Sequence, residues 1–370
     1  WSKLDGDPRL RDAPAPWHRA AAGNSGVESY SAWFGASDGR MLYFGLSPFW
    51  SLWWERGGDS RADLEQPGEL LIGRFDLARR QLLEPLRALP RGAHSRSSVW
   101  DLLIHPNGRI YYTTFFESLG SLAADGSDAR AYPELGAGLN ELALGPEARI
   151  YATRYSDRPE DPARQTRGGV LLLTPEGALV RETLIPPAGG RFRAPKSLAV
   201  DPASGEIWVN VDAFDTQGGV AYQTLRIDAS GRIAETLPAP PELHFVAFDA
   251  QGRGWFAEST GAELRLRVVR GSALLASAAL GPRGELDFVQ DIQFAADGRA
   301  LLALWSARVI VAELGASGEL ALREITLARP ADCAPPRGRS LLYTAVAHRD
   351  RVFATLDCGM TVLEAALPKR

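Results

Sequence analysis

The sequence is poor in lysine, cysteine, long apolar runs and helical periodicity. Its two cysteines have no neighbouring histidines, so they do not make a structural zinc site. No run of about 18 apolar residues is present, which excludes a transmembrane helix. The net charge is −4, so the chain lacks the basic face that nucleic acid requires, and nucleic acid is excluded as a partner. Composition is otherwise ordinary for a globular protein, with 45% hydrophobic and 23% charged residues among 370.

Signatures of common enzyme classes are also missing. The chain contains no P-loop, Rossmann or His-Glu-X-X-His motif. Lysine occurs only as Lys3, Lys196 and Lys369, beside many arginines and alanines. We interpret that bias as a GC-rich coding sequence, and it does not indicate recognition by arginine.

Both cysteines, Cys333 and Cys358, fall in one C-terminal segment, 25 positions apart. Their placement favours a disulfide, which would contribute on the order of 3 kcal/mol by the chain-entropy estimate. The alternative is a pair of buried free thiols in a reducing cytosol. The chain begins with Trp1 rather than Met, which is typical of a precursor that has lost a signal peptide, or of a trimmed chain. We therefore expect a periplasmic or extracellular protein.

One phrase recurs along the chain: an alternating apolar run, a turn that is usually centred on Gly, and a second apolar run that usually begins with an aromatic residue. Clear copies occupy residues 101–112, 141–151 and 197–208, and weaker copies occupy residues 246–255 and 292–301. Each copy is followed by a second strand-turn-strand pattern. Self-similarity of this kind, at a period of about 40–50 residues, predicts an all-β protein, a β-propeller of four-stranded antiparallel blades.

Two further units flank these five. Residues 31–84 supply four strands and residues 341–364 supply three. Seven blades are therefore favoured, with six the alternative, and the short last blade predicts closure by an N-terminal strand. Closure removes the exposed sheet edges that would template aggregation. We expect residues 1–27 to form an N-terminal extension that supplies this strand, and residues 28–370 to form a single propeller domain.

Aligning the copies identifies the residues that enter the centre of the ring. Two positions before the first apolar residue of each phrase stand Trp100, Asn140, Lys196, His244, Gln290 and Tyr343. The next positions hold Asp101, Glu141, Ser197, Phe245, Asp291 and Thr344. Because neighbouring strand residues face opposite ways, we expect only the first set to face the channel and the second to lie between blades.

The first set predicts a polar ligand site made of Trp100, Asn140, Lys196, His244 and Gln290. Such a site would bind a polar ligand or one ion with oxygen ligands. His244 is the side chain best suited to act as a general base near neutral pH, and so is the candidate catalytic residue. The alternative is a hydrated channel mouth whose polar side chains meet only water.

A second candidate surface is the insertion at residues 47–63. It carries four aromatic side chains, Phe49, Trp50, Trp53 and Trp54. An aromatic loop of this density could be a lid, an anchor for a protein partner or an interfacial membrane contact. It could equally fold over the edge of its own blade.

The phrase at Asn140–Tyr151 resembles the repeats of gluconolactonase/regucalcin-like, strictosidine synthase-like and NHL-repeat propellers, and residues 200–208 match its second half. The resemblance implies a divalent cation such as calcium in the channel. In gluconolactonase-like enzymes its ligands are a Glu, two Asn and an Asp. Asn140 falls on one of the Asn positions. Lys196 falls on the other, and Gln290 falls on the Asp position.

Two functions remain open. The favoured one is a non-catalytic secreted or periplasmic propeller that presents loops to a protein partner or small ligand, with no cofactor. The alternative, which the resemblance implies, is a gluconolactonase-like hydrolase or lyase acting on a small polar substrate at the channel.

Overall fold

A computed structural model gives the architecture. The part of the chain that it describes comprises residues 17–19, 31–47, 70–88, 99–114, 117–156, 168–214, 220–238, 242–271, 273–282, 288–328, 330, 342–357 and 360–369. Seven antiparallel sheets of four strands each form the blades of a propeller. The prediction of an all-β propeller with seven blades is confirmed, and the six-blade alternative is wrong.

The first strand of the chain is β1 (Trp17–Arg19), which belongs to the last blade. Blade 1 contains β2 (Ser31–Ser37), β3 (Met41–Ser47), β4 (Leu71–Asp76) and β5 (Gln81–Arg87). Blade 2 contains β6 (Val99–Ile104), β7 (Arg109–Thr114), β8 (Leu119–Ala123) and β9 (Arg130–Tyr132). Blade 3 contains β10 (Leu139–Leu144), β11 (Ile150–Arg154), β12 (Gly168–Leu173) and β13 (Leu179–Ile185).

The remaining blades follow in chain order. Blade 4 contains β14 (Phe192–Val200), β15 (Ile207–Phe214), β16 (Val220–Ile227) and β17 (Ile233–Pro238). Blade 5 contains β18 (Glu242–Phe248), β19 (Gly254–Thr260), β20 (Glu263–Arg270) and β21 (Ala273–Pro282). Blade 6 contains β22 (Val289–Phe294), β23 (Ala300–Leu304), β24 (Arg308–Leu314) and β25 (Leu320–Thr326). Blade 7 contains β26 (Leu342–His348), β27 (Arg351–Asp357) and β28 (Met360–Ala366), with β1 as its outermost strand.

The recurring phrase forms the two innermost strands of a blade. In blade 2 the turn between them is closed by the Gly108 N–H, which donates to the His105 carbonyl at 3.0 Å. Gly108 has a φ of 84°, a left-handed conformation that favours glycine. The Asn107 side chain accepts the Arg109 N–H at 3.1 Å and holds the turn. The Asn-Gly pair in the phrase therefore fixes the register of this hairpin.

The core lies between neighbouring sheets, where the apolar faces of adjacent blades meet. Blades 1 and 7 meet in the same way as neighbours in sequence do, around Phe44, Phe75 and Phe353. The ring centroids of Phe75 and Phe353 are 5.2 Å apart. Because the first and last blades share a core layer, the ring is closed by side-chain packing as well as by backbone pairing.

Strand β1 closes the ring through the backbone. It pairs antiparallel with β28, with Trp17 opposite Leu363 and Arg19 opposite Thr361. The predicted closure by an N-terminal strand is confirmed. Beside it, the buried carboxylate of Glu364 in β28 lies 2.9 Å from the Arg80 guanidinium of blade 1. This ion pair joins the first and last blades.

Helix is limited, in the described residues, to the two short 3₁₀ turns Pro133–Leu135 and Pro146–Ala148. None of the described segments forms a helix long and apolar enough to cross a membrane.

Candidate functional site

Each of the seven innermost strands carries a β-bulge near its start, where the register with its partner shifts. The shifts fall between Ala32/Gly35, Val99/Asp101, Leu139/Leu142, Pro195/Ser197, Leu243/Phe245, Val289/Asp291 and Leu342/Ala345. The extra residues therefore fall at the predicted rim positions, including Trp100, Lys196 and Gln290. A bulge leaves one residue out of the ladder and changes the direction of the side chains around it.

The bulges overturn one sequence-based expectation. Strict alternation predicts that only the first rim set faces the channel. In the structure Glu141 and Ser197, from the second set, line the same cavity as Asn140 and Lys196. The expectation was wrong because each bulge interrupts the alternation at the two residues concerned.

The cavity at the channel mouth has a volume of about 360 Å³. One side, here called the aromatic wall, comes from blades 1, 2, 6 and 7 and comprises Trp33, Phe34, Trp100, Phe288, Trp305 and Tyr343. The opposite side, here called the polar wall, comes from blades 3 and 4 and comprises Asn140, Glu141, Lys196, Ser197, Asn210, Asp212 and Gln223. Blade 5 adds the apolar side chains Leu243 and Phe245, and blade 6 adds the polar side chain Gln290, so the polar residues are concentrated on blades 3 and 4.

The aromatic wall is a packed cluster. Trp33 lies at its centre, with its ring centroid 5.2 Å from that of Trp100 and 5.9 Å from that of Tyr343. Phe34 meets Tyr343 edge to face at 5.1 Å, and Phe288 meets Trp305 in the same way at 5.9 Å. These are the separations at which aromatic pairs are favourable, so the wall is preformed.

The polar wall contains buried acceptors without a partner. The Asn140 side-chain N–H donates to the Lys196 carbonyl at 2.6 Å, which fixes the orientation of the amide. Within the described part of the chain, the Asn140 Oδ1, Ser197 Oγ and Gln223 Oε1 atoms are buried and have no hydrogen-bond partner. An unpaired buried polar group costs about 1–3 kcal/mol.

The residues after the bulges join several blades to their neighbours. The Asp101 carboxylate accepts the Leu142 N–H of blade 3 at 2.7 Å, as expected of the second rim set. The Leu198 N–H of blade 4 hydrogen-bonds to Glu141 in the same way. The Gly35 N–H of blade 1 donates to the Thr344 hydroxyl at 2.9 Å. Asp291 accepts the side-chain amide of its strand neighbour Gln293 at 3.0 Å and also hydrogen-bonds to the Thr344 side chain of blade 7.

Threonines on the second strands complete these seams. Thr113 accepts the Asp101 N–H at 3.2 Å and donates to the Asn140 carbonyl of the next blade. Thr355 donates to the Trp33 carbonyl of blade 1 at 2.9 Å. The bulges that shape the channel mouth are therefore held by hydrogen bonds between blades.

Three carboxyl groups near the channel have raised pKa values. Burial raises the pKa of Asp101 and of Asp291 to about 7. Burial, and then the Asp101 charge, raise the pKa of Glu141 well above its usual range, while the Lys196 ammonium opposes the shift. The Glu141 carboxyl on the polar wall is therefore protonated more easily than an exposed one.

The structure places four of the predicted ligand residues at the cavity: Trp100, Asn140, Lys196 and Gln290. The backbone of His244 lies at the bulge of β18, and its side chain lies outside the described part of the structure. The candidate partner residues Phe49, Trp50, Trp53 and Trp54 also lie outside the described residues, as do Cys333 and Cys358.

Sequence reasoning missed several lining residues. Trp33 and Phe34 stand at the rim position of blade 1, and aligning that blade with the others would have found them. Asn210 and Gln223 lie on the second and third strands of blade 4. No repeat position marks those two as facing the channel.

The lining residues do not fit the divalent cation implied by the resemblance. Lys196 brings an ammonium group into the cavity at one ligand position, and Gln290 stands where a carboxylate is needed. Among the described residues, no group of three or more His, Cys, Asp or Glu side chains is placed to hold a metal ion. We therefore derive no metal-dependent step.

No family model matches the sequence, and no curated protein matches it. Solved structures do resemble the fold. Raptor of Chaetomium thermophilum aligns with a TM-score of 0.55 at 9% identity, over 96% of this chain and 28% of Raptor, so the chain spans under a third of Raptor's length. YCF48 bound to D1 peptide aligns with a TM-score of 0.52 at 12% identity, over 96% of this chain and 98% of YCF48.

The propeller of Dos1 aligns with a TM-score of 0.50 at 12% identity, over 90% of this chain and 78% of that one. Identities this low show a shared fold alone. The protein is a seven-bladed β-propeller with a preformed cavity at the mouth of its channel.

Proposed function

We propose that this protein is a non-catalytic binding propeller that holds a small organic ligand at the channel mouth. The observation that carries the proposal is the cavity of about 360 Å³ with one aromatic wall and one polar wall. Ligand sites are typically about 300–1,000 Å³, mostly apolar, with a few fixed polar groups. The unpaired acceptors of Asn140, Ser197 and Gln223 are the fixed polar groups here.

Filling the cavity with a side chain tests this proposal. In the Gln223→Trp variant an indole ring would occupy the space between the walls. Thr236→Trp places the same ring on an exposed strand of the same blade, on β17, and is the matched control. Both variants are first checked for an unchanged melting temperature.

A small-molecule fragment library is then screened by ligand-observed NMR against the wild type and both variants. We expect hits with the wild type that persist with Thr236→Trp and are lost with Gln223→Trp. A screen without hits, or hits that survive Gln223→Trp, would contradict a binding site at the channel mouth.

We further propose that the aromatic loop at residues 47–63 contacts a protein partner. Support comes from the density of Phe49, Trp50, Trp53 and Trp54 in the sequence and from the fold shared with YCF48, which is described as bound to a peptide. In a pull-down from the native source, the wild type is expected to retain a partner that the Trp53→Ser/Trp54→Ser double variant loses. Equal retention by both would overturn the role of this loop.

Localisation outside the reducing cytosol is also a proposal, periplasmic or extracellular, supported by the pair Cys333 and Cys358. Protein isolated from its native source should react with an alkylating reagent only after reduction. Alkylation of both thiols without reductant would contradict a secreted, disulfide-bonded protein.

A further inference from the structure

Few ionisable side chains line the cavity, and they differ in their surroundings. Among the described lining residues, the side chains of Glu141, Lys196 and Asp212 are the ones that carry acidic or basic charge. Burial raises the pKa of the Glu141 carboxyl well above its usual range. Asp212 hydrogen-bonds to the Tyr155 side chain. Lys196 is exposed and is the one basic side chain among the described residues that line the cavity.

Two further residues that line the cavity carry hydrogen-bond donors. The Ser197 hydroxyl, on the same strand as Lys196, is buried and has no partner among the described residues. Across the cavity, on the aromatic wall, the Trp305 indole N–H is likewise buried and unpaired within the described chain. An ammonium, a hydroxyl and an indole N–H around one space suit a group that accepts hydrogen bonds.

The aromatic wall indicates the chemistry of the rest of the ligand. Trp33, Trp100 and Tyr343 offer a packed surface that favours a flat apolar ring over a chain of polar groups. Residual acceptors at Asn140 and Gln223 suit a ligand that also carries a hydroxyl or N–H donor.

We propose, on the basis of the binding function above, that the ligand is an aromatic carboxylate whose ring packs on the aromatic wall and whose carboxylate binds the Lys196 ammonium and the Ser197 hydroxyl. A carboxylate bound in this way is held by charge-assisted hydrogen bonds, which are stronger than those between neutral groups. An ammonium group at the position of this carboxylate would instead be repelled by Lys196.

Three probes that differ only at one end test this ligand class by isothermal titration calorimetry. They are 4-hydroxyphenylacetate, tyrosol and tyramine. All three are phenols with a two-carbon side chain, which ends in a carboxylate, an alcohol and an ammonium group respectively. We expect 4-hydroxyphenylacetate to bind more tightly than tyrosol by about tenfold or more, and tyramine to bind most weakly.

Two lysine variants test whether Lys196 causes the preference for the carboxylate probe. Lys196→Met keeps the length and apolar stem of the side chain and removes its charge, and should reduce the carboxylate preference to less than about threefold. Lys369→Met removes an exposed lysine near the C-terminus and should leave the preference intact.

The outcomes separate the two proposals. Tyrosol or tyramine binding as tightly as the carboxylate would overturn the ligand class while leaving a binding site at the channel mouth. Binding of the carboxylate that is unchanged in Lys196→Met would overturn the role of Lys196. If none of the three probes binds, the ligand class is wrong, and the fragment screen with Gln223→Trp decides the site independently.

Discussion

At the scale of single residues, buried carboxyl groups around the channel couple the stability of the ring to pH. Burial raises the pKa of Asp291 to about 7, although the Gln293 amide and the Thr344 side chain hydrogen-bond to it. The unfolded chain would release the same proton near pH 4. Between these two values the folded protein holds a proton that the unfolded chain has lost.

Stability is therefore expected to fall as pH rises from about 4 to about 7, because the folded state binds more protons across that window. Each pKa unit corresponds to about 1.4 kcal/mol, so Asp291 alone accounts for at most about 4 kcal/mol. Asp291→Asn keeps the site neutral and should unfold at a higher denaturant concentration than the wild type at pH 8, with a difference about a third as large at pH 5.

Denaturant midpoints measured at both pH values check this expectation, with Asp125→Asn as the control. Asp125 is exposed, and hydrogen bonds from Ser127 lower its pKa, so it does not titrate in this window. An Asp291→Asn variant that is no more stable than the wild type at pH 8 would show that the buried carboxyl is not the source of the effect.

At the scale of elements, the bulge on each innermost strand determines what the channel presents. Thr113 is fully buried and joins the bulge of blade 2 to that of blade 3, accepting the Asp101 N–H and donating to the Asn140 carbonyl. Valine has nearly the same shape and makes neither bond. Thr113→Val should therefore destabilise the fold by about 1–3 kcal/mol, the cost of leaving buried polar groups unpaired.

Chemical denaturation of Thr113→Val beside Thr236→Val measures this cost. Thr236 lies on the exposed outermost strand of blade 4, where the substitution should change little. Equal stability of the two variants would mean that the seam between blades 2 and 3 does not depend on this hydroxyl.

The same bulges explain which part of the site could be predicted from the sequence. The repeat alone placed Trp100, Asn140 and Lys196 at the channel, because equivalent positions in a repeat protein occupy equivalent places. It could not place Ser197 there, since the extra residue of a bulge changes pairing without a sequence signature of its own. Gln223 reaches the cavity from a third strand, and only the tertiary arrangement of blade 4 brings it there.

At the scale of the whole molecule, ring closure depends on a strand taken from the far end of the chain. Strand β1 covers the edge of β28, and Glu364 joins blade 7 to Arg80 of blade 1. Deleting residues 1–20 should lower the melting temperature and cause concentration-dependent self-association, because the uncovered edge offers unpaired backbone groups to another chain.

Light scattering and thermal unfolding of the deletion variant across a range of protein concentrations test the closure. The control is Arg80→Met, which removes the ion pair with Glu364 and leaves β1 in place. It should lower the melting temperature without self-association. A deletion variant that stays monomeric with an unchanged melting temperature would contradict closure by β1.

The central claim is that the channel mouth, between its aromatic and polar walls, is the binding site of this propeller. Crystals of the protein soaked with a library of small organic fragments test it most directly. We expect bound fragments to cluster in this cavity, with rings against Trp33 and Trp100 and polar groups at Lys196 and Ser197. Fragments that cluster elsewhere on the surface, with only water in the cavity, would contradict it.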